Sequence, residues 1–118
     1  MKVQRGDIVL ITLPFTQGDG SKLRPALVVQ NDASNARMAN TIVAAITRNV
    51  SRVHLPTQTL IDPNTLAGKQ SGLLAVSAIT CENLFTVNHN LIHRFIGKAS
   101  AELMQQVNDC LKSALDIA

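Results

Sequence analysis

The sequence is poor in aromatic residues, with three phenylalanines and neither tryptophan nor tyrosine among its 118 residues. Modules that bind single-stranded nucleic acid by stacking its bases rely on aromatic side chains. The composition therefore argues against a base-stacking platform.

Residues that bind metals or cofactors are also scarce and widely spaced. The histidines (His54, His89 and His93) form no HExxH motif, and the cysteines (Cys81 and Cys110) form no CxxC motif. No GxGxxG, GxxxxGK[ST] or GxSxG motif occurs. We therefore expect no metal site and no cofactor, and we expect both cysteines to be small buried thiols in a reducing compartment.

Long apolar runs are absent as well. No run approaches the roughly 18 residues of a membrane span, and residues 1–7 are too polar for the apolar part of a signal peptide. A chain of 118 residues, 46% of them apolar, has the size and the core-forming residues of one compact domain. We predict a single cytoplasmic domain over residues 1–118.

Negative charge is sparse in the first half of the chain. Residues 1–61 contain seven basic and three acidic residues, whereas residues 62–118 contain four basic and five acidic residues. A basic half indicates a polyanionic partner, although a charge of this size also serves solubility.

Short apolar segments separated by turn residues follow one another along most of the chain. They predict strands at residues 8–13, 26–30, 41–47, 52–61 (broken by Pro56), 73–79 and 94–97. Residues 33–40 have the composition of one helical turn, and residues 65–72 are expected to form a loop. Ser100 predicts the N-cap of a helix with an apolar stripe. This pattern is typical of a small, mainly β, strongly bent barrel with one C-terminal α-helix.

Two polar residues, Arg24 and Thr47, stand at the ends of predicted strands. Arg24 precedes Pro25, which disfavours a helix there and places the guanidinium at the start of a rigid strand. In an antiparallel pair the start of one strand lies beside the end of its neighbour, so Arg24 and Thr47 are expected to meet. A guanidinium beside a hydroxyl can bind a phosphate and stabilise its developing negative charge. On these residues alone, an ordinary solvated arginine beside a core strand is the alternative.

Several sequence blocks occur together and in a fixed order. They are RGDIV at 5–9, RPALVVQND at 24–32, IVAAIT at 42–47, LPT at 55–57, ENL at 82–84 and TV at 86–87. With these blocks and its C-terminal helical stripe, the chain resembles the MazF/PemK toxins of bacterial toxin–antitoxin pairs. The blocks span nearly the whole chain, and the series RGD–RPALVVQND–AAIT is specific as a set.

The resemblance implies a fold, an activity and partners. The fold is a small SH3-like barrel of the CcdB/PemK type with a C-terminal helix, usually in a homodimer. The activity is that of an mRNA interferase, a metal-independent, sequence-specific endoribonuclease of single-stranded mRNA. The RNA's own 2′-hydroxyl attacks, leaving a 2′,3′-cyclic phosphate and a 5′-hydroxyl. The protein partner is a cognate acidic antitoxin.

The resemblance also implies the site residues. The family's catalytic arginine falls on Arg24 and its hydroxyl partner on Thr47. Because arginine stays protonated, we expect Arg24 to stabilise the pentacovalent phosphate rather than to act as a general base. The sequence does not identify the proton acceptor, and Arg94, in the less basic half, is expected to be dispensable for cleavage. Substrate-binding residues are predicted at Lys22, Pro25, Arg48, Asn49, Glu82 and Asn83.

The chain departs from the family pattern at two places. The family's RNA cleavage sequence is therefore not assigned to this chain. Residues 18–23 read GDGSKL where the family often has a GSEQG-type loop, and whether Asp19 replaces the family's glutamate is open. Residues 83–86 read NLFT in place of the frequent QIRT, with the loss of an arginine.

Two other functions are alternatives. A CcdB-like DNA gyrase poison uses a tryptophan near the end of the helix, which this chain lacks. A catalytically silent homologue would only bind an antitoxin or RNA.

Overall fold

The computed structural model describes residues 2–13 and 22–118. The loop predicted around Gly18 and Asp19 lies outside these residues. The elements within them are β1 (Asp7–Leu13), β2 (Lys22–Val28), α1 (Asp32–Arg37), β3 (Asn40–Thr47), β4 (Gln58–Ile61), α2 (Leu66–Ser71), β5 (Ser77–Asn88), a 3₁₀ turn (His89–Leu91), β6 (Ile92–Lys98) and α3 (Ala101–Leu115).

The six strands form one antiparallel sheet in the order β4-β5-β3-β2-β1-β6. This confirms the prediction of a mainly β fold with a C-terminal helix. The sheet does not close through hydrogen bonds between β4 and β6 within the described residues. None of the described helices is long and apolar enough to cross a membrane.

The two faces of the sheet bury different parts of the core. On one face, Ile8, Leu27 and Ile79 pack against Val107 of α3, all four with no exposed surface. On the other face, Val9, Ile11, Ala26, Val28 and Val43 form a second cluster. Since successive residues of a strand point to opposite faces, β1 and the second half of β2 read as nearly continuous apolar runs.

The Arg5-Gly6-Asp7 block holds the start of β1 in place. The nitrogen of Gly6 donates to the Val28 carbonyl at 2.8 Å, and the Arg5 side chain donates to the Val29 carbonyl and to Asn108 of α3. Gly6 has a φ of 96°, a conformation that glycine adopts without strain. This block is therefore structural and ties β1 to β2 and α3.

The segment predicted as a loop at 65–72 is the helix α2, so that prediction is wrong. The Thr65 side chain caps the helix by accepting a hydrogen bond from Gly68 N at 3.0 Å, and Gly72 ends it in the left-handed conformation. A threonine N-cap and a glycine seven residues later are typical of the two ends of a helix. The segment between them has too few apolar residues to show a helical stripe in the sequence.

Close backbone approaches let α2 bridge the two edge strands. A Cβ at Gly68 would lie 1.7 Å from the Asp62 carbonyl oxygen, beside β4, and a Cβ at Gly72 would lie 1.7 Å from the Ile96 carbonyl oxygen of β6. A Cβ at Gly97 would likewise strike Ser71. The barrel is therefore closed by a helix packed backbone to backbone, and the helix fixes the position of the residues that follow it.

Strand boundaries differ most from the predictions at three places. β2 begins at Lys22 because it pairs with β1 from Leu13 onward, so Arg24 is the third residue of the strand. β4 covers only Gln58–Ile61, because turns and a bend fill residues 51–57 around Pro56. The strand predicted at 73–79 begins at Ser77 and continues to Asn88, since its second half is partly exposed and therefore reads as polar.

The helix α3 begins where the sequence predicts. Ser100 Oγ accepts a hydrogen bond from Leu103 N at 3.1 Å, and Glu102 lies in the first turn, where a negative charge is favourable. The cysteines are free and buried between this helix and β5. Burial, together with neighbouring Cys110 and Glu82, raises the pKa of the Cys81 thiol to about 12, and Cys81 is therefore a poor nucleophile.

Candidate active site

The strand register brings Arg24 and Thr47 together. Ala26 of β2 is paired with Ala45 of β3. Arg24 precedes the first of these residues by two positions and Thr47 follows the second by two, so both fall on one row of the antiparallel pair. Both residues line one pocket of about 450 Å³. Their predicted meeting at the sheet rim is thus found, while their catalytic roles stay predictions.

The pocket has an apolar floor and a wall made by the chain after α2. Leu10 of β1 is paired with Pro25 of β2, and Ile46 of β3 lies beside them. Gly72, Leu73, Leu74 and Ala75 form the wall. The glycine contacts that dock α2 onto β6 therefore also set the width of the pocket.

Three arginines (Arg24, Arg48 and Arg94) line this pocket, and no acidic residue is found among its described lining residues. None of the three guanidinium groups has an ion pair or a hydrogen bond with the part of the chain that the structure describes. The ion pair that is described, Lys98 with Asp7 at 3.5 Å, lies outside the pocket. Uncompensated guanidinium groups at one concave surface attract anions and suit phosphate.

The Thr47 hydroxyl has a defined orientation. Its oxygen accepts a hydrogen bond from Asn49 N at 3.1 Å. The Asn49 side chain in turn accepts from the Ser51 nitrogen and from the Ser51 hydroxyl. The hydroxyl hydrogen of Thr47 has no acceptor among the described residues and can be donated to a ligand.

The other predicted substrate-binding residues fall into three groups. Pro25 and Arg48 line the pocket, and Asn49 lies next to it as the residue that orients Thr47. Glu82 and Asn83 do not line the pocket. Lys22 begins β2, and its side chain lies outside the described part of the chain.

Glu82 and Asn83 lie in a bulge of β5. Ala44 is paired with Leu84 and the next residue, Ala45, with Thr80, so residues 81–83 are left out of the ladder with β3. Glu82 accepts a hydrogen bond from buried Gln58 at 2.6 Å, and Asn83 donates to the Thr80 hydroxyl at 3.3 Å. The bulge therefore presents a second polar cluster, separate from the arginine pocket.

Arg94 and Ser77 line the pocket, and sequence reasoning did not assign either of them to it. Arg94 belongs to β6, opposite Leu10 of β1, and the structure brings it to the pocket from a distant part of the sequence. No local signal identifies such a residue, because its proximity depends on β6 pairing with β1. The expectation that Arg94 is dispensable loses its basis.

Sequence comparison places these features in a known family. Residues 4–115 match the family described as the PemK-like, MazF-like toxin of type II toxin–antitoxin systems. The chain belongs to the PemK/MazF toxin family. Endoribonuclease EndoA of Bacillus subtilis is 33% identical over 116 residues, which cover 98% of this chain and 96% of that protein.

Two further similarities extend this PemK/MazF assignment. Endoribonuclease MazF of Staphylococcus saprophyticus is 28% identical, with 98% of this chain and 92% of that protein covered. A solved mycobacterial endoribonuclease in complex with its cognate antitoxin superposes with a TM-score of 0.78 at 21% identity, covering 98% of this chain and 97% of that one. This structural likeness shows that the two chains share a fold.

Proposed function

We propose that this protein is the toxin of a type II toxin–antitoxin system and acts as a metal-independent, sequence-specific endoribonuclease of single-stranded mRNA in the cytoplasm. The observation that carries the proposal is the meeting of Arg24 and Thr47 in a pocket lined by three guanidinium groups that have no carboxylate partner among the described residues. The 33% identity to an endoribonuclease of Bacillus subtilis supports it.

In the proposed reaction, the RNA supplies its own nucleophile. The 2′-oxygen attacks the adjacent phosphorus, a new oxygen–phosphorus bond closes the 2′,3′-cyclic phosphate, and the bond to the 5′-oxygen breaks. The 2′-hydroxyl loses its proton and the leaving 5′-oxygen gains one. Charge accumulates on the phosphoryl oxygens between these events, and a preorganised cation stabilises that charge most. No step requires a metal ion.

Arg24 supplies the cation in this mechanism, and Thr47 positions the phosphate. The Arg24 guanidinium presents a planar fork of donors that matches two phosphoryl oxygens. Thr47 donates its hydroxyl hydrogen to the phosphate while its oxygen stays bound to Asn49 N. The backbone contact fixes the hydroxyl before substrate arrives, so little reorganisation is needed.

Replacing Thr47 with valine is expected to lower the cleavage rate by at least about tenfold while the fold persists, because one donor is lost and the β-branched shape is kept. The measurement is single-turnover cleavage of an unstructured RNA, with circular dichroism to verify folding. Thr59→Val, a threonine on β4 outside the pocket, is the matched control and should cleave normally. Equal rates for wild-type and Thr47→Val protein would remove Thr47 from the site.

The cluster in the β5 bulge is proposed to read bases. A carboxylate such as Glu82 accepts hydrogen bonds from exocyclic amino groups of bases, and Asn83 has both a donor and an acceptor. Cut sites mapped on a long RNA should therefore change in sequence for Glu82→Gln while cleavage continues. An unchanged cut sequence would show that the bulge does not contribute to specificity.

A cognate acidic antitoxin and a second copy of the chain are the proposed protein partners. Apolar side chains near the pocket are exposed, with Leu23 at 52%, Leu74 at 92% and Val76 at 41%. An acidic chain with apolar residues complements this surface and the arginines beside it.

Light scattering should give a dimer mass for the toxin alone and a larger mass with the antitoxin. A monomer mass at micromolar concentration would refute the homodimer.

A further inference from the structure

Arg94 differs from the residues of the proposed reaction in its origin and in its position. It comes from β6, at the edge of the sheet, whereas Arg24 comes from β2 and Thr47 from β3. One strand, β1, lies between β6 and β2. With neighbouring strands about 4.8 Å apart, the backbones that carry Arg94 and Arg24 are separated by roughly 10 Å across the sheet.

No contact of the Arg94 side chain with the described residues explains why this position carries a positive charge. Its side chain is exposed and has neither an ion pair nor a hydrogen bond with residues 2–13 and 22–118. Arg5, by comparison, is fixed by bonds to Val29 and Asn108 and serves the fold. An arginine at a pocket without a carboxylate partner raises the local positive potential, which is unfavourable unless an anion binds.

Arg24 and Arg94 reach the pocket from strands on its two sides. The scissile phosphate, once held by Arg24 and Thr47, lies at the β2–β3 side of the pocket, while Arg94 lies at the β6 side. A single RNA strand carries one phosphate per nucleotide, so a chain that crosses the pocket presents a second negative group to the far side.

We infer that Arg94 binds the phosphate next to the scissile one and thereby holds the RNA across the pocket. This inference rests on the proposed function, because it assumes that the scissile phosphate lies at Arg24. Arg94 is a substrate-binding residue in this assignment and does not stabilise the transition state. Its loss should therefore weaken ground-state binding and leave the chemical step nearly unchanged.

The first test separates binding from chemistry. Arg94→Ala is expected to raise KM about tenfold, the scale of one charge-assisted hydrogen bond, while kcat changes by less than about twofold. Arg37→Ala removes the same charge from α1, away from the pocket, and should leave both constants unchanged. A drop in kcat at constant KM, or equal KM values for Arg94→Ala and wild type, would overturn the assignment.

Salt dependence gives a reading that a loss of structure would not produce. The probe is an unstructured oligonucleotide with 2′-fluoro sugars, which lack the nucleophile and cannot be cut. The slope of log K against log salt should become shallower by about 0.7 for Arg94→Ala, the value for one phosphate contact on a single strand. An unchanged slope, as expected for Arg37→Ala, would refute the contact.

Replacing single phosphates of the RNA with a neutral analogue identifies the phosphate that Arg94 binds. A methylphosphonate next to the cut site should weaken wild-type binding about tenfold and cause no further loss in Arg94→Ala. The same change at the scissile position should instead couple to Arg24→Ala. Additive losses at every position, or coupling of Arg94 to the scissile phosphate, would overturn the inference.

These three experiments also distinguish failure of the inference from failure of the proposed function. Wild-type protein that binds 2′-fluoro RNA through Arg94 but cuts no RNA would refute the proposed catalysis and support the contact. Wild-type protein that cuts RNA normally, with binding independent of Arg94, would refute the contact alone.

Discussion

The Arg24→Ala protein is expected to cleave RNA about two to three orders of magnitude more slowly than the wild type, the usual effect of removing one preorganised donor. Arg24 lies at the rim of the sheet, exposed, with no partner in the described residues, so its removal leaves no buried group unsatisfied. The variant should therefore remain folded. The measurement is single-turnover cleavage alongside circular dichroism.

Arg24→Lys tests how the cation acts. A lysine keeps the positive charge but loses the planar fork of donors, so it should recover little of the lost rate. Arg37→Ala serves as the control for a simple change in net charge, because Arg37 is an exposed cation on α1 outside the pocket. Folded Arg24→Ala protein that cleaves at the wild-type rate would contradict the site assignment even though family membership stands.

Gly72→Ala is expected to lower the free energy of unfolding by roughly 2–5 kcal/mol, combining the strain of a left-handed alanine with overpacking. Gly72 has a φ of 74°, and a Cβ would lie 1.7 Å from the Ile96 carbonyl oxygen. Backbone cannot move aside as a flexible side chain does. Because Gly72 also lines the pocket, the variant should lose both stability and RNA binding.

Gly6→Ala measures the loss that comes from backbone strain alone, without a steric clash at the Cβ. Gly6 also has a positive φ, 96°, but the nearest atom to its Cβ is Met104 Sδ at 3.8 Å. Its replacement should cost only the conformational strain, about 1–2 kcal/mol. Urea denaturation of both variants gives the comparison. Equal losses for Gly72→Ala and Gly6→Ala would mean that α2 does not dock against β6 as described.

The sequence predicts best those features that local residues determine. Ser100 caps α3 because its hydroxyl reaches Leu103 N within one turn. The segments rich in β-branched residues form the strands β1 and β3. Arg24 is extended because Pro25 follows it. The antiparallel register then brings Arg24 to Thr47 without any further information.

Features that depend on distant backbone contacts escape local reasoning. Residues 65–72 read as a loop because Gly68 and Gly72 weaken the helical pattern, yet a side chain at either position would collide with the Asp62 or the Ile96 carbonyl. The bulge that carries Glu82 depends on the pairing of Cys81 N with the Thr57 carbonyl. Arg94 reaches the pocket only through the pairing of β6 with β1.

The central claim is that this protein cuts RNA by itself, through the RNA's own 2′-hydroxyl, at the Arg24–Thr47 pocket. Its most direct test incubates the purified protein in excess EDTA with a long unstructured RNA and with DNA of the same sequence. The account predicts discrete RNA fragments with 2′,3′-cyclic phosphate and 5′-hydroxyl ends, and intact DNA. Cleavage of the DNA, a requirement for added metal ions, or intact RNA would contradict it.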